Sequence, residues 1–328
     1  MSSSRFFKNL HPHAPHRWRD VLRWKLGLGQ REISDVSPAE AAQAEPRPVQ
    51  PDWSRIRFPD AAVLQVTWIG HATFLLQLNG LNWLTDPVFS DLCAPLPLPQ
   101  CRRLIPPGLA WERLPRIDGV LISHAHYDHL DETTLRRLDR KTPIFVPRAL
   151  GPWFLRRGFT RIEEIGWWKS STFQPGWTVH ACPVQHFSAR KPWDWNRTQW
   201  CGWILETFNW KVFFVGDSGY CSSFKDIGQK YSGLDLAILP IGAYAPRWLM
   251  KSMHTDPFEA AQVHLDLGTR YSVPGHWGTF RLTDEPPGEP AILLDQARQE
   301  YQISAQDFPL LQPGQTWTIV PKHRTEVS

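Results

Sequence analysis

Four side chains able to bind a metal lie within six residues at His124-Ala125-His126-Tyr127-Asp128-His129, directly after the apolar run Gly119-Val120-Leu121-Ile122-Ser123. Neutral imidazole nitrogen and carboxylate oxygen together suit Zn²⁺. A solvated loop whose histidines merely hydrogen-bond would account for one such residue, but not for four at this spacing. The preceding run has the length and composition of a buried strand. The cluster therefore sits where a strand ends, and the sheet must hold its side chains together.

His-X-His-X-Asp-His at the end of a core strand resembles the signature of the metallo-β-lactamase superfamily, and every ligand position of that signature is met. The resemblance implies an α+β chain built as an αββα sandwich, two β-sheets packed face to face with helices outside, and two metal ions at one edge. More ligands are then expected from later strand ends. Trp177 to Cys182 reads as an apolar strand running into Pro183-Val184-Gln185-His186. Lys211 to Val215 reads as a buried strand ending in Gly216-Asp217-Ser218-Gly219, a turn that projects a carboxylate from the sheet edge. Tyr271-Ser272-Val273-Pro274-Gly275-His276 repeats the order of strand, glycine, ligand. Alone, a strand-end Asp or His is more often a turn or capping residue; in this order behind the first motif, they complete a set.

Carried over residue by residue, the resemblance assigns His124, His126 and His186 to one metal and Asp128, His129 and His276 to a second, with Asp217 between them. The implied cofactor is a pair of zinc ions, with other divalent metals left open. Two ions roughly 3.5–4 Å apart clamp a hydroxide, lower the pKa of its parent water and stabilise charge on the attacking and leaving oxygens. Such a site needs no Ser or Cys nucleophile. A redox di-iron centre stays open on ligand types alone.

Several further stretches resemble one branch, the N-acylphosphatidylethanolamine-hydrolysing phospholipase D family and its bacterial relatives. They are the run from His124 to Leu130, Pro183 to His186, Gly216-Asp-Ser-Gly-Tyr-Cys221, Pro240-Ile-Gly-Ala-Tyr-Ala-Pro-Arg-Trp248, Met253-His-Thr-Asp-Pro257 and His276-Trp-Gly-Thr-Phe280. The similarity covers residues 60 to 285. It implies hydrolysis of a phosphodiester to a phosphatidic acid and an N-acylethanolamine, with zinc. Asp128 and His254 are then the candidates for a direct part in catalysis, His254 as a hydrogen-bond donor to phosphate or leaving group. His254 reads equally as the residue before a helix, since Thr255-Asp256-Pro257 looks like a helix start.

Residues 1–58 read differently from residues 59–328, which form the hydrolase domain in this reading. Arg17, Arg19, Arg23 and Lys25 interleave with Trp18, Val21, Leu22, Trp24 and Leu26, and a helix is predicted up to Gly27-Leu28-Gly29. Its Trp face packs onto the sandwich, or its cations meet anionic headgroups while Trp and Leu enter a membrane surface. Ser34 to Pro51, rich in Ala, Pro and Glu, is expected to be an extended or mobile linker.

The domain opens with Val66 to Leu78, the hairpin signal Asn79-Gly80 and Leu81 to Leu84 before Thr85-Asp86-Pro87. Trp68-Ile-Gly-His-Ala-Thr73 followed by Leu84-Thr-Asp-Pro87 resembles the opening hairpin of the superfamily's hydrolase branches, which implies that His71 and Asp86 lie near the metal edge, as supports for ligands or as ordinary backbone-bonded residues. Pro87 to Pro107 is too rich in proline for regular structure and predicts a loop that could wall a pocket. Phe187 to Trp203 combines Trp193, Trp195, Trp200 and Trp203 with Arg190, Lys191 and Arg197, which suits a substrate apolar at one end and anionic at the other. Equally, some of the 18 tryptophans must fill the core.

Composition bounds the rest. Net charge is only +4, and the chain shows no long Lys/Arg stripe, so no nucleic-acid partner is expected. Five widely spaced cysteines without a Cys-X-X-Cys pair argue against a disulfide framework. No signal-peptide core and no run of about 18 apolar residues is present. The expected location is cytoplasmic, with peripheral membrane contact and a homodimer left open. The expected substrate is a lipid or another phosphodiester. The rivals are a nucleic-acid phosphodiesterase, a lactonase, and a scaffold docked on membranes without turnover.

Overall fold

The computed structural model describes residues 6–12, 18–28, 34–95, 98–191 and 193–321. Two β-sheets face each other. The first has seven strands in the order β13-β1-β2-β3-β4-β5-β6, the second six in the order β12-β11-β10-β9-β8-β7. In the first sheet β1 (Leu64–Gly70), β2 (Thr73–Leu78), β3 (Leu81–Thr85) and β13 (Thr316–Ile319) pair antiparallel, while β4 (Gly119–Leu121), β5 (Ile144–Pro147) and β6 (Ile162–Ile165) continue the sheet in parallel. In the second, β7 (Lys169–Gln174), β8 (Trp177–Cys182), β9 (Gly202–Thr207) and β10 (Lys211–Phe214) are antiparallel, and β11 (Leu236–Pro240) and β12 (Tyr271–Gly275) add in parallel.

Period-two alternation explains how one strand serves two faces. In β1 the side chains of Leu64, Val66 and Trp68 enter the core between the sheets, and Ile69 joins the outer apolar layer with Leu75, Leu84 and Val120. That outer layer is covered by α4 (Glu132–Leu135) and α5 (Gly151–Leu155), while α6 (Ser223–Lys230), α8 (Pro257–Leu267) and α9 (Glu289–Glu300) cover the second sheet. The short helices α3 (Trp53–Arg57) and α7 (Arg247–Met250) sit in connections. Asn79 and Gly80 both take positive φ, as the tight β2–β3 hairpin requires. No helix among the described residues is long and apolar enough to cross a membrane.

The predicted basic helix is present as α1 (Trp18–Lys25). The expectation of an extended or mobile linker over Ser34 to Pro51 is met only in its lack of regular structure after residue 45. Ser37 and Glu40 form a reciprocal cap that starts helix α2 (Pro38–Gln43), Ala41 is buried, and Val49 N–H donates to Pro313 O at 2.9 Å. The alanines that resemble a spacer supply the small side chains by which this helix lies close on the domain.

The Trp-rich stretch after His186 is divided by the fold. Trp200 and Trp203 are wholly buried, Trp203 donating from Nε1 to Ile122 O at 2.8 Å, whereas Trp193 and Trp195 are exposed. The described residues of the proline-rich segment after β3 form an irregular strap that includes a 3₁₀ turn at Pro99–Cys101. It is pinned by Arg103, whose buried guanidinium donates to Val88 O and Ser90 O and lies over the Phe280 ring.

Candidate metal centre

Each candidate ligand stands just past the end of a strand, all at one edge of the sandwich. β4 leads into His124, His126, Asp128 and His129; β8 into His186; β10 into Asp217; β12 into His276. Gly216, at φ +68°, lets the chain turn there, and a Cβ on it would lie 2.5 Å from Ser123 Cβ. The backbone of the Asp217 turn thus packs directly on the side chain of Ser123, the residue before His124. Ser218 Oγ accepts from Gln185 N–H at 3.0 Å and Gly219 N–H donates to Gln185 O at 2.9 Å, which joins the Asp217 and His186 loops.

Two groups of ligand atoms result. In one, His124 Nε2 and His186 Nε2 lie 2.8 and 3.2 Å from His126 Nδ1, with Asp217 Oδ2 at 3.8 Å from His124 and 3.7 Å from His186. In the other, Asp128 Oδ2 is 3.4 Å from His129 Nε2 and 3.5 Å from His276 Nε2. Asp217 reaches this group as well, at 3.1 Å to His129 and 3.2 Å to His276. The seven candidates therefore meet, with the Asp217 carboxylate facing both groups.

The outer hydrogen bonds decide which nitrogens point inward bare. Ser123 Oγ donates to Asp86 Oδ2 at 2.5 Å, so it accepts from His124 Nδ1 at 2.8 Å. His129 Nδ1 donates to Asp86 Oδ2 at 2.6 Å, and His186 Nδ1 to Met253 O at 3.0 Å. Nδ1 of each of these three rings is engaged on the outer side, so Nε2 is the nitrogen that faces the centre and gives up its proton when a metal binds. His129 Nε2, His276 Nε2 and Asp217 Oδ1 are buried with no hydrogen-bond partner. Buried polar atoms without partners are costly in protein alone, and lone pairs converging at this separation fit metal ions. The donor set of imidazole and carboxylate suits zinc among other divalent metals.

Electrostatics point the same way. Burial alone would raise Asp217 and Asp128, yet His129 and its histidine neighbours hold both carboxyls well below the usual range. Burial would lower His129 and His276, but the carboxylates raise His129 well above its ordinary value and His276 to about 9. Burial and the neighbouring rings push His126 down to about 3 and His186 to about 4. Positive charge is thus favoured between the two carboxylates, where protons and cations compete.

Of the two supporting candidates, Asp86 is fully buried and also accepts from Ser123 N–H at 2.7 Å. His71 places Nε2 at 2.9 Å from Asp128 Oδ2, with its ring 4.0 Å from that of His276. His254 is near but not among the closest atoms: Nδ1 lies 3.9 Å from Asp217 Oδ2, buried and without a hydrogen-bond partner. Asp256 caps α8 through Glu259 N–H at 2.8 Å, so the helix-start reading of this stretch holds beside the His254 geometry. Sequence reasoning missed Ser123, Asn9 and the carbonyl of Met253. Only Ser123 carried a signal, its place next to His124.

The profile of the beta-lactamase superfamily domain matches residues 82–277, a span that contains every candidate ligand. An uncharacterised protein of Mycobacterium tuberculosis is 41% identical over 258 residues, 76% of this chain and 68% of that one. The N-acyl-phosphatidylethanolamine-hydrolyzing phospholipase D 1 of Caenorhabditis elegans is 36% identical over 277 residues, 79% of this chain and 77% of that one. Among solved structures, an isothiocyanate hydrolase from Delia radicum gut bacteria shares the fold, with a TM-score of 0.64 at 19% identity over 79% of this chain and all of that one. The chain is a metal-dependent hydrolase of the metallo-β-lactamase superfamily, and it belongs to the branch of the N-acylphosphatidylethanolamine-hydrolysing phospholipases D.

Proposed function

We propose that the protein is a zinc-dependent phosphodiester hydrolase that performs phospholipase D-type cleavage of an N-acylphosphatidylethanolamine-like lipid. The observation that carries the reading is the pair of ligand groups sharing the Asp217 carboxylate, with His124, His129 and His186 each tied at Nδ1 to an outer partner so that Nε2 faces the centre. In this reading His124, His126 and His186 hold one ion, and Asp128, His129 and His276 the other, with Asp217 between them. When bound, two such ions lower the pKa of water and offset charge on the attacking and leaving oxygens.

The chain's own groups then orient the ester. Burial drives His254 well below its ordinary pKa, so the ring is neutral and donates a hydrogen bond to a phosphate or leaving-group oxygen without bringing a charge. A cavity of about 350 Å³ borders His186, with Phe187, Trp195 and Met253 as an apolar wall and Lys8 as a cation. That combination suits an amphiphilic anion.

Contact with a membrane surface is supported by α1, and the structure divides its residues. Trp24 turns inward against Leu249, Met250 and Met253, and its Nε1 donates to Asp284 at 2.7 Å. Val21, Leu22 and Leu26 stay 42–61% exposed beside Arg23 and Lys25. Leucines among cations meet an anionic lipid surface favourably.

The test is a substrate panel on protein purified without added metal, whose zinc content is measured first. N-acylphosphatidylethanolamine in mixed micelles should yield phosphatidic acid and N-acylethanolamine. Turnover of a lactone or an RNA oligonucleotide with none of the lipid would overturn the reading.

A further inference from the structure

We infer that the N-terminal segment 6–12 is a clasp of the metal centre and that Asn9 is a positioning residue for His186. The inference rests on the reading of His186 as a ligand. Residues 6 to 11 alternate outward and inward, with Phe7, Asn9 and His11 the less exposed set. This is the period of an extended strap lying on a surface, and each inward residue holds a different part of the site.

Asn9 is the central member. Its Nδ2 donates to His186 O at 2.9 Å and its Oδ1 accepts from His186 N–H at 3.1 Å, so one side-chain amide holds both polar groups of the His186 main chain. The same Oδ1 accepts from the buried Trp200 Nε1 at 3.2 Å. With His186 Nδ1 fixed on Met253 O, the residue is held at backbone and ring alike. Its remaining nitrogen, Nε2, has one direction in which to point.

Phe7 and His11 extend the clasp to the other loops. Phe7 N–H donates to Asn196 O at 2.8 Å; Asn196 Oδ1 accepts from Ser188 N–H at 3.1 Å; and Ser188 Oγ accepts from Ala125 N–H at 3.1 Å, between His124 and His126. His11 Nε2 lies 2.9 Å from Ser223 Oγ and 3.2 Å from Ser222 Oγ, at the start of α6 in the connection that carries Asp217. The strap thus touches the loops of His186 and Asp217 directly and reaches the loop of His124 and His126 through Asn196 and Ser188.

The experiment measures zinc affinity by competition with a chromogenic chelator on metal-free protein, together with the visible spectrum of the cobalt-substituted form. Asn9→Ala should weaken one of two binding steps by about 10–100-fold and alter the cobalt bands, because partners that orient ligands typically have effects of that size. The other step should stay within about threefold. Asn9→Asp, isosteric but with an oxygen facing His186 O, should weaken the same step and gives the readout if the alanine variant does not fold. Leu10→Ser, on the outward face of the same strap, should match the wild type. Unchanged affinity in a folded Asn9 variant would overturn the inference, as would equal weakening of both steps alongside a lowered melting temperature of the metal-free protein. His186→Ala separates the two readings: if it too leaves both steps intact, the assignment of His186 as a ligand is what fails.

Discussion

Asp86 Oδ2 stands 2.6 Å from His129 Nδ1 in a site sealed from solvent, and burial raises the carboxyl's pKa against the pull of His129 and Ser123. The two residues are 43 positions apart, on the connections after β3 and β4. Asp86→Ala should weaken metal binding by about 10–100-fold through loss of the His129 orientation. It should also destabilise the metal-free protein by ~1–3 kcal/mol for each donor left unpaired. Chelator competition and thermal unfolding check the two effects; wild-type affinity in the variant would remove Asp86 from the centre.

Asp217→Ala removes the carboxylate that faces both ligand groups. Metal content should fall below two ions per chain and turnover should drop below detection, because the nearby cations lose the charge that offsets them. Elemental analysis and activity on one preparation decide it. Retained turnover would exclude Asp217 from the mechanism.

Cleavage at phosphorus is expected, since no protein nucleophile is needed beside such a site. Turnover in ¹⁸O water should place one label in the phosphate-containing product, read by mass spectrometry. Label confined to the alcohol would mean C–O cleavage.

Acidity should act on the metal-free protein through His276, raised to about 9 by the carboxylates around it. A raised folded-state pKa contributes stability that is fully present below the ordinary value near 6.5 and lost as pH rises through about 9. Melting temperature of the stripped protein should therefore fall across that window. Zinc affinity should climb over the same range, because the proton it displaces is released more easily. A flat affinity profile from pH 6.5 to 9 would contradict the assignment of His276 as a ligand.

Membrane contact is tested by point substitution, since removing residues 1 to 29 would also remove Asn9. Leu22→Ser with Leu26→Ser should weaken vesicle binding by about 10–100-fold, in line with ~1.5–3 kcal/mol for fully burying one Leu. Hydrolysis of a small water-soluble phosphodiester should stay unchanged. Sedimentation with anionic vesicles measures the first and a colorimetric assay the second; equal loss in both would place α1 at the active site instead of the lipid surface.

The candidate ligands and local turns were legible in the sequence wherever neighbours in the chain determine them. His124 to His129 declare themselves by spacing, Asn79-Gly80 by the turn that two positive φ angles demand, and Asp256-Pro257 by the needs of a helix start. The sandwich followed from the family pattern, and the strand ends at His186, Asp217 and His276 from apolar runs that stop at polar residues. What only the tertiary structure decided depends on partners far away in the chain. Asn9 meets His186 across 177 positions, Trp24 meets Asp284 across 260, and Val49 finds Pro313 although its neighbourhood reads as a spacer. Trp195 and Trp200 share a local setting yet part into surface and core, because burial is set by the sheet that passes beneath and not by the residue type. A ligand's identity is written in its own side chain; its orientation is written in whatever the fold brings to its other side.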